Sequence, residues 1–553
     1  MNKKLITMKK LVLAMFVTAF AFSASAAPAS DDSNGYDEQT TLAIRNIERS
    51  MELVDGVISK CFTGSGARMV MKDVYDLNSH KREDGTSDVW PYTAVMEAVN
   101  SILEGLTALK DVAPEYYDLE HDRYVNLLND LYASIRYYAG SYELVSYTRT
   151  TKWNDIYGVH RGSLPGQATV TGIENVYDDQ MWLVREFIRA YKNTGDDIYL
   201  RRAEYLTEYI LDGWDACVDS RGNEYGGITW GPGYNSKHAC SNAPIVSPLV
   251  WLAEMYKGKD DTTTRYFVNK DNTRGSETVN KYEYYLDFAK KIYAWQKEHL
   301  YDSSTGCYHD MCGADNTIQY EEVDGVKYRK HVNIGAPGGT QFTYNTGTML
   351  CGAVDLYQAT GDEYYLNEVK DLATDSYTHF RGTRKTIDGE VYFPFPYDSD
   401  TMNGFNAWFN NVLMRAFVDA VPYADFKNSL GAADNYAKRG CYNFQSNLDY
   451  AYENYLKDGF LPNNLLGGWE SNTKTKAFHQ VAYAAEYAKL VQYLLNDAKT
   501  TNITNFNKET VEKNVNVYAV DGRQVRSNVS KSEALDGLKS GVYVVDGEKH
   551  MVK

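Results

Sequence analysis

Cysteine is scarce, with 7 in 553 residues. The seven, at positions 61, 217, 240, 307, 312, 351 and 441, are odd in number and too widely spread for a fold built on disulfides. Cys307 and Cys312 form the only close pair, with His309 and Asp310 between them. No second Cys/His pair completes a tetrahedral set, so a local disulfide or two free thiols is expected there rather than a metal site. The 10 histidines are scattered without ligand spacing. A G-x-S-x-G elbow, an H-E-x-x-H pair, a Walker loop and a dinucleotide fingerprint are all missing, and no cofactor is signalled. After the first 26 residues no run approaches the roughly 18 to 20 apolar residues of a membrane helix. Basic residues are outnumbered, 57 against 74, and the net charge of −17 repels phosphate backbones and anionic lipid. Nucleic acid and membrane partners are disfavoured, and a neutral ligand is the default.

What the chain has in excess is tyrosine, 47 residues beside 9 Trp and 19 Phe. Amphipathic rings suit a surface that holds a polar ligand by its apolar faces, and they equally suit a Tyr-rich helical core. At the N-terminus, Lys3, Lys4, Lys9 and Lys10 precede an apolar run from Leu11 to Phe22 and the small residues Ala24-Ser25-Ala26. This pattern predicts a secretory signal over 1–26, and a secreted protein that is periplasmic, extracellular or at the cell surface. No cysteine stands at the cleavage site to carry a lipid.

Between the signal and about residue 500, helical periodicity predicts twelve helices, near 37–60, 91–110, 121–139, 177–194, 197–213, 243–258, 281–300, 342–360, 363–380, 405–421, 430–457 and 477–497, with few strands. Two connections are alike: Thr194-Gly195-Asp196 and Thr360-Gly361-Asp362. In each, glycine ends one helix in the left-handed conformation and aspartate caps the next, which makes a helical hairpin. Six such hairpins closed into a ring give an all-α (α/α)6 barrel over 27–500, and an open solenoid is the alternative. Long loops at 140–176, 214–242, 301–341 and 381–404 favour the ring, with a binding cleft built on it. Lys499 to Asn507 reads as a polar linker. Beyond it, over 508–553, Val515–Val520 and Gly541–Val545 read as strands and Asp521-Gly522 and Asp546-Gly547 as hairpin turns. This small β module resembles those that end many secreted proteins of Bacteroidetes-type bacteria, where they serve in sorting or attachment. A stabilising cap on the barrel is the other reading.

Tyr177-Asp178-Asp179-Gln180-Met181-Trp182 begins an amphipathic helix just after a glycine-containing loop. Neighbouring carboxylates repel, so one is held ionised and the other protonated near neutral pH. Glycoside hydrolysis needs that division of labour. The same residues serve equally well as helix caps. Both can face one cleft only at an irregular first turn, because adjacent helical positions diverge by about 100°.

Four segments, in order, are similar to glycoside hydrolase family 76, the bacterial endo-α-1,6-mannanases. They are Tyr177-Asp178-Asp179 with Trp182; Gly226-Gly227-Ile228-Thr229-Trp230 followed by Lys237-His238-Ala239-Cys240-Ser241-Asn242; Phe342-Thr343-Tyr344-Asn345-Thr346-Gly347; and the turn at 360–362. Departures from the family pattern are His238 in place of Asn, Thr346 in place of Gln, and a Phe405-Asn406-Ala407-Trp408 segment without the usual Lys. The resemblance implies an (α/α)6 barrel, a retaining mechanism with Asp178 as nucleophile and Asp179 as acid/base, no cofactor, and α-mannan or its oligosaccharides as the partner of a monomer. Candidate sugar contacts are Tyr177, Trp182, Trp230, His238, Asn242, Tyr344, Asn345 and Trp408. The tryptophans serve equally well in a core and the asparagines as caps, and Lys237 and His238 equally as solvated loop residues. Two other classes compete: a glycan-binding barrel without catalysis, and an epimerase or uronide hydrolase on the same scaffold. Paired histidines or basic residues for a uronate would mark the latter, and neither pattern is visible.

Overall fold

The computed structural model describes residues 36–427, 433–497, 514–519, 522–530, 534–545 and 548–552. The expected signal at 1–26 and linker at 499–507 lie outside the described residues, as do Asp521, Asp546 and Gly547 of the two expected turns. Twelve α-helices fall within the described residues: α1 (Glu38–Cys61), α2 (Val89–Leu109), α3 (Pro114–Ile135), α4 (Tyr177–Thr194), α5 (Asp197–Leu211), α6 (Val246–Tyr256), α7 (Lys281–Leu300), α8 (Thr343–Thr360), α9 (Glu363–Phe380), α10 (Asn406–Ala420), α11 (Tyr436–Tyr455) and α12 (Ala477–Asp497). None of them is long and apolar enough to cross a membrane.

The even-numbered helices neighbour one another in the order α2, α4, α6, α8, α10, α12 and back to α2, and each odd-numbered helix packs against a member of that ring. Residue patterns explain the division. In α2 the buried side chains run almost continuously from Tyr92 to Leu103, as an enclosed helix requires. In α3 only Tyr124, Leu128, Leu131, Ser134 and Ile135 are buried, one stripe at spacings of three and four. The two Thr-Gly-Asp turns hold the hairpins together as their residue types dictate. Gly195 and Gly361 take φ of +72° and +68°, their N–H groups donate to Tyr191 and Tyr357, and Asp196 and Asp362 cap α5 and α9.

Strands are more numerous than periodicity indicated. The loops carry β1 (Ala139–Val145) paired with β2 (Thr150–Tyr157), and β4 (Thr262–Val268) paired with β5 (Arg274–Asn280). A three-stranded sheet joins β3 (Lys237–His238), β6 (Met311–Ala314) and β9 (Ile334–Gly338), and β7 (Tyr320–Val323) pairs with β8 (Val326–Arg329). In β4 and β7 exposed positions alternate with half-buried ones and only Val268 is buried, so neither shows the apolar-in, polar-out pattern of a strand packed on a core. At the C-terminus β10 (Asn514–Ala519), β11 (Gln524–Ser530), β12 (Gly541–Val545) and β13 (Glu548–Val552) form an antiparallel sheet in the order β11-β10-β12-β13. It has its own small core around Val517, Ala534 and Val545, separate from the core of the helices.

Candidate active site

Four of the six ring helices, α2, α4, α8 and α10, bring residues near their N-termini to one cleft of about 980 Å³. Trp90 from α2, Asp178 and Trp182 from α4, Tyr344 from α8, and Trp408 and Phe409 from α10 all lie within the first two turns of their helices and line it. The loops complete the wall with Trp230, His238, Cys240, Asp310, Phe342, Asp398 and Phe405. The main chain sets the register of the two central residues, because the Tyr177 N–H donates to the Trp230 carbonyl at 2.8 Å. Gly227 brings the loop in. Its φ is +75°, and a Cβ there would stand 2.4 Å from the Trp295 ring, so only glycine allows this approach.

Asp178 and Asp179 occupy the second and third positions of α4, and neither caps it; the N-cap is Val176, without a side-chain bond. Asp178 opens onto the cleft, whereas Asp179 is covered, 7% exposed. Burial pushes the Asp178 carboxyl up to about 6, against the pull of Cys240, Trp230 and the first-turn N–H groups, which favour its charge. One of its oxygens has no hydrogen-bond partner. Asp179 is pushed well above the usual carboxylate range, first by burial and then by the charges of Asp178 and Asp88. At neutral pH the pair therefore holds one charge, on Asp178, and one proton, on Asp179.

Around the pair stand rings and neutral donors. Trp230 stacks on His238 at 4.8 Å, and burial lowers the imidazole to about 4, so it is uncharged. Trp182 and Trp408 meet edge to face at 4.8 Å. Tyr344 donates to Asp310 at 2.8 Å.

Of the candidates read from the sequence, Asp178, Trp182, Trp230, His238, Tyr344 and Trp408 line this cleft. Asp179, Tyr177, Asn242 and Asn345 do not, and Asp179 is covered directly behind Asp178. Tyr177 is fully buried against Tyr209. The Asn242 side chain is spent on Ile228 and His238, where it ties the loop to itself. Asn345 is buried and donates to the Tyr308 carbonyl. Lys237 and His238 are not solvated loop residues either: both are buried on β3, with Lys237 paired to Asp215 at 2.9 Å. Cys307 and Cys312 are unpaired buried thiols, and no group of three metal-ligand side chains comes together among the described residues. Sequence reasoning missed Trp90, Cys240, Asp310, Phe342, Asp398, Phe405 and Phe409 as cleft residues. Trp90 carries the one usable signal, since it stands near the start of a buried helix as Asp178 does.

Paired carboxylates beside aromatic platforms form the kind of site that glycoside hydrolases use. The chain belongs to glycosyl hydrolase family 76, whose profile matches residues 133–264 and 277–433. A family 76 glycoside hydrolase (mannosidase) from Bacteroides thetaiotaomicron VPI-5482 shares the fold with a TM-score of 0.57 and 18% identity, covering 82% of this chain and 100% of that one. An inactive variant of an α-1,6-mannanase from Salegentibacter sp. HEL1_6, with two consecutive aspartates replaced by asparagine and α-1,6-mannotriose in complex, gives a TM-score of 0.50 and 20% identity over 81% of this chain and 99% of that one. In sequence, the mannan endo-1,6-alpha-mannosidase DCW1 of Saccharomyces cerevisiae is 26% identical over 212 residues, which span 38% of this chain and 36% of the yeast protein.

Proposed function

We propose that this protein is a secreted, endo-acting α-1,6-mannanase. It hydrolyses the α-1,6-linked mannose backbone of fungal-type mannan with retention, on an (α/α)6 barrel made of the ring helices and their outer partners. The observation that carries this reading is the adjacent carboxylate pair, Asp178 opening onto the cleft and Asp179 covered beside it, with its two members held at different acidities. In the first step a carboxylate oxygen of Asp178 attacks the anomeric carbon while Asp179 gives its proton to the departing glycosidic oxygen. In the second, Asp179 takes a proton from water, the water oxygen displaces Asp178 from the sugar, and both groups return to their starting states. The mannanase from Salegentibacter that is inactive with two consecutive aspartates replaced together supports a consecutive aspartate pair as the catalytic groups.

The lining supports a neutral substrate. Among the described residues no lysine or arginine lines the cleft, so a uronate would find no cation, and His238 is the single histidine there. The open cleft between long loops accommodates a chain passing through. The test is the product ladder from linear α-1,6-mannan beside other neutral polysaccharides. Short oligosaccharides are expected early; mannose alone from the start would refute endo action, and an untouched α-1,6-mannan beside a degraded β-linked polymer would refute the substrate. NMR of the first product is expected to show the α anomer, and a β anomer would reject retention.

A further inference from the structure

A second pocket, of about 620 Å³, lies away from the cleft and shares no residue with it. Its walls come from four places: Arg149 from the turn between β1 and β2, Glu208 and Asp212 at the end of α5 with Trp214 just beyond, Tyr266 from β4, and Tyr284 from α7. Residues 265–276, the outer part of the β4–β5 hairpin with Tyr266, lie outside the two segments that the family profile matches.

We infer that this pocket is a second glycan site, which holds one pyranose ring of a neutral polysaccharide while the cleft works on another part of the chain. The inference rests on the reading of the cleft as a glycan-processing site. Its chemistry is that of a sugar site. The Arg149 guanidinium lies over the Tyr266 ring at 4.1 Å and donates through Nε to both oxygens of Asp212 at 2.9 Å, so a donor and an acceptor sit rigidly side by side, the pattern that two neighbouring hydroxyls match. The Glu208 carboxylate and the Tyr284 hydroxyl line the pocket without a side-chain hydrogen bond to the described residues and remain for a ligand. The pocket is lined by both rings, Trp214, Tyr266, Tyr284 and Phe288, and polar groups, Arg149, Glu208 and Asp212, the two kinds of contact that a pyranose ring makes. Charge argues against an anionic ligand: Arg149 is spent on Asp212, and Glu208 is left uncompensated. The pocket also has a main-chain route to the cleft, since Trp214 is bridged to Ile228, two residues before Trp230.

The test uses the full chain with Asp178→Ala, which leaves the polymer intact, in native gels containing α-1,6-mannan or other neutral polysaccharides. Tyr266→Ala and Glu208→Gln are compared with that parent. Loss of one stacking ring is expected to weaken retardation roughly three- to tenfold. The same single substitutions in the active protein are expected to leave turnover of an α-1,6-mannotetraose unchanged. Exposed Glu208 guards against a folding artefact at Tyr266. The inference is overturned if no neutral polysaccharide retards the parent, if both variants are retarded as strongly as the parent, or if tetrasaccharide turnover falls in step with retardation. A wild-type chain that leaves α-1,6-mannan uncut, yet is retarded by another neutral polysaccharide in a Tyr266-dependent way, would refute the cleft's substrate and uphold the pocket.

Discussion

The indole Nε1 of Trp408 donates to Glu97 Oε2 at 2.9 Å, joining the floor of the cleft to a buried ion network. Glu97 is paired with Arg415 and approached by Arg185. Burial by itself raises this carboxyl, but Arg415, Arg185 and Arg189 more than offset that and hold it below the ordinary value. Glu97→Leu strands the buried Arg415 guanidinium, while Arg185 keeps its pairing with Glu186, and is expected to lower stability by about 3–5 kcal/mol, read as a fall in Tm. Glu97→Gln keeps an acceptor for Trp408 and is expected to lose less.

The two aspartates are expected to fail differently. Asp178→Ala abolishes turnover on every substrate. Asp179→Ala loses roughly 10²–10⁴-fold on mannan but retains activity on aryl mannosides, whose leaving group needs no proton. Azide restores the second variant and gives an α-mannosyl azide. Equal losses on both substrates, with no help from azide, would remove the division of roles.

The pH profile of kcat/KM is expected to be bell-shaped. Activity needs Asp178 ionised, so it falls as pH drops through about 6, and it needs Asp179 protonated, so it falls again on the alkaline side. Stability carries the opposite mark of Asp179. A carboxyl whose native pKa is raised is fully accommodated only below its unfolded value, about 4, and costs stability as pH rises through its native pKa. Asp179→Asn is therefore expected to raise Tm by an amount that grows with pH above about 4 and then levels off. A Tm difference that is flat with pH would contradict the burial of a protonated Asp179.

Separate cores predict separable parts. The sheet β10–β13 packs around Val517 and Val545, whereas α12 is buried among the helices. A chain ending at residue 497 is expected to fold, with mannan hydrolysis retained and a single cooperative melting transition. Loss of soluble protein would mean that the C-terminal strands complete the helical core.

Helices, turns and the carboxylate pair are encoded within a few residues, and for that reason the amino-acid order alone determines them. The stripe in α3, the glycine and aspartate of each Thr-Gly-Asp turn, and Asp178 beside Asp179 all act over one turn of helix. Tertiary structure decided the rest. The cleft gathers segments as far apart as Trp90 and Phe409, and closure of the ring, not local preference, brings them together. Whether a polar side chain faces ligand or framework depends on partners distant in sequence: Lys237 is buried because Asp215 waits for it, and Asn242 turns inward because Ile228 offers both a donor and an acceptor. The acidities of the aspartates were decided in the same way. Hydrogen bonds to Asp178 and the charges of Asp178 and Asp88 on Asp179 separate the two, but burial, which no spacing of residues specifies, is the largest contribution to both.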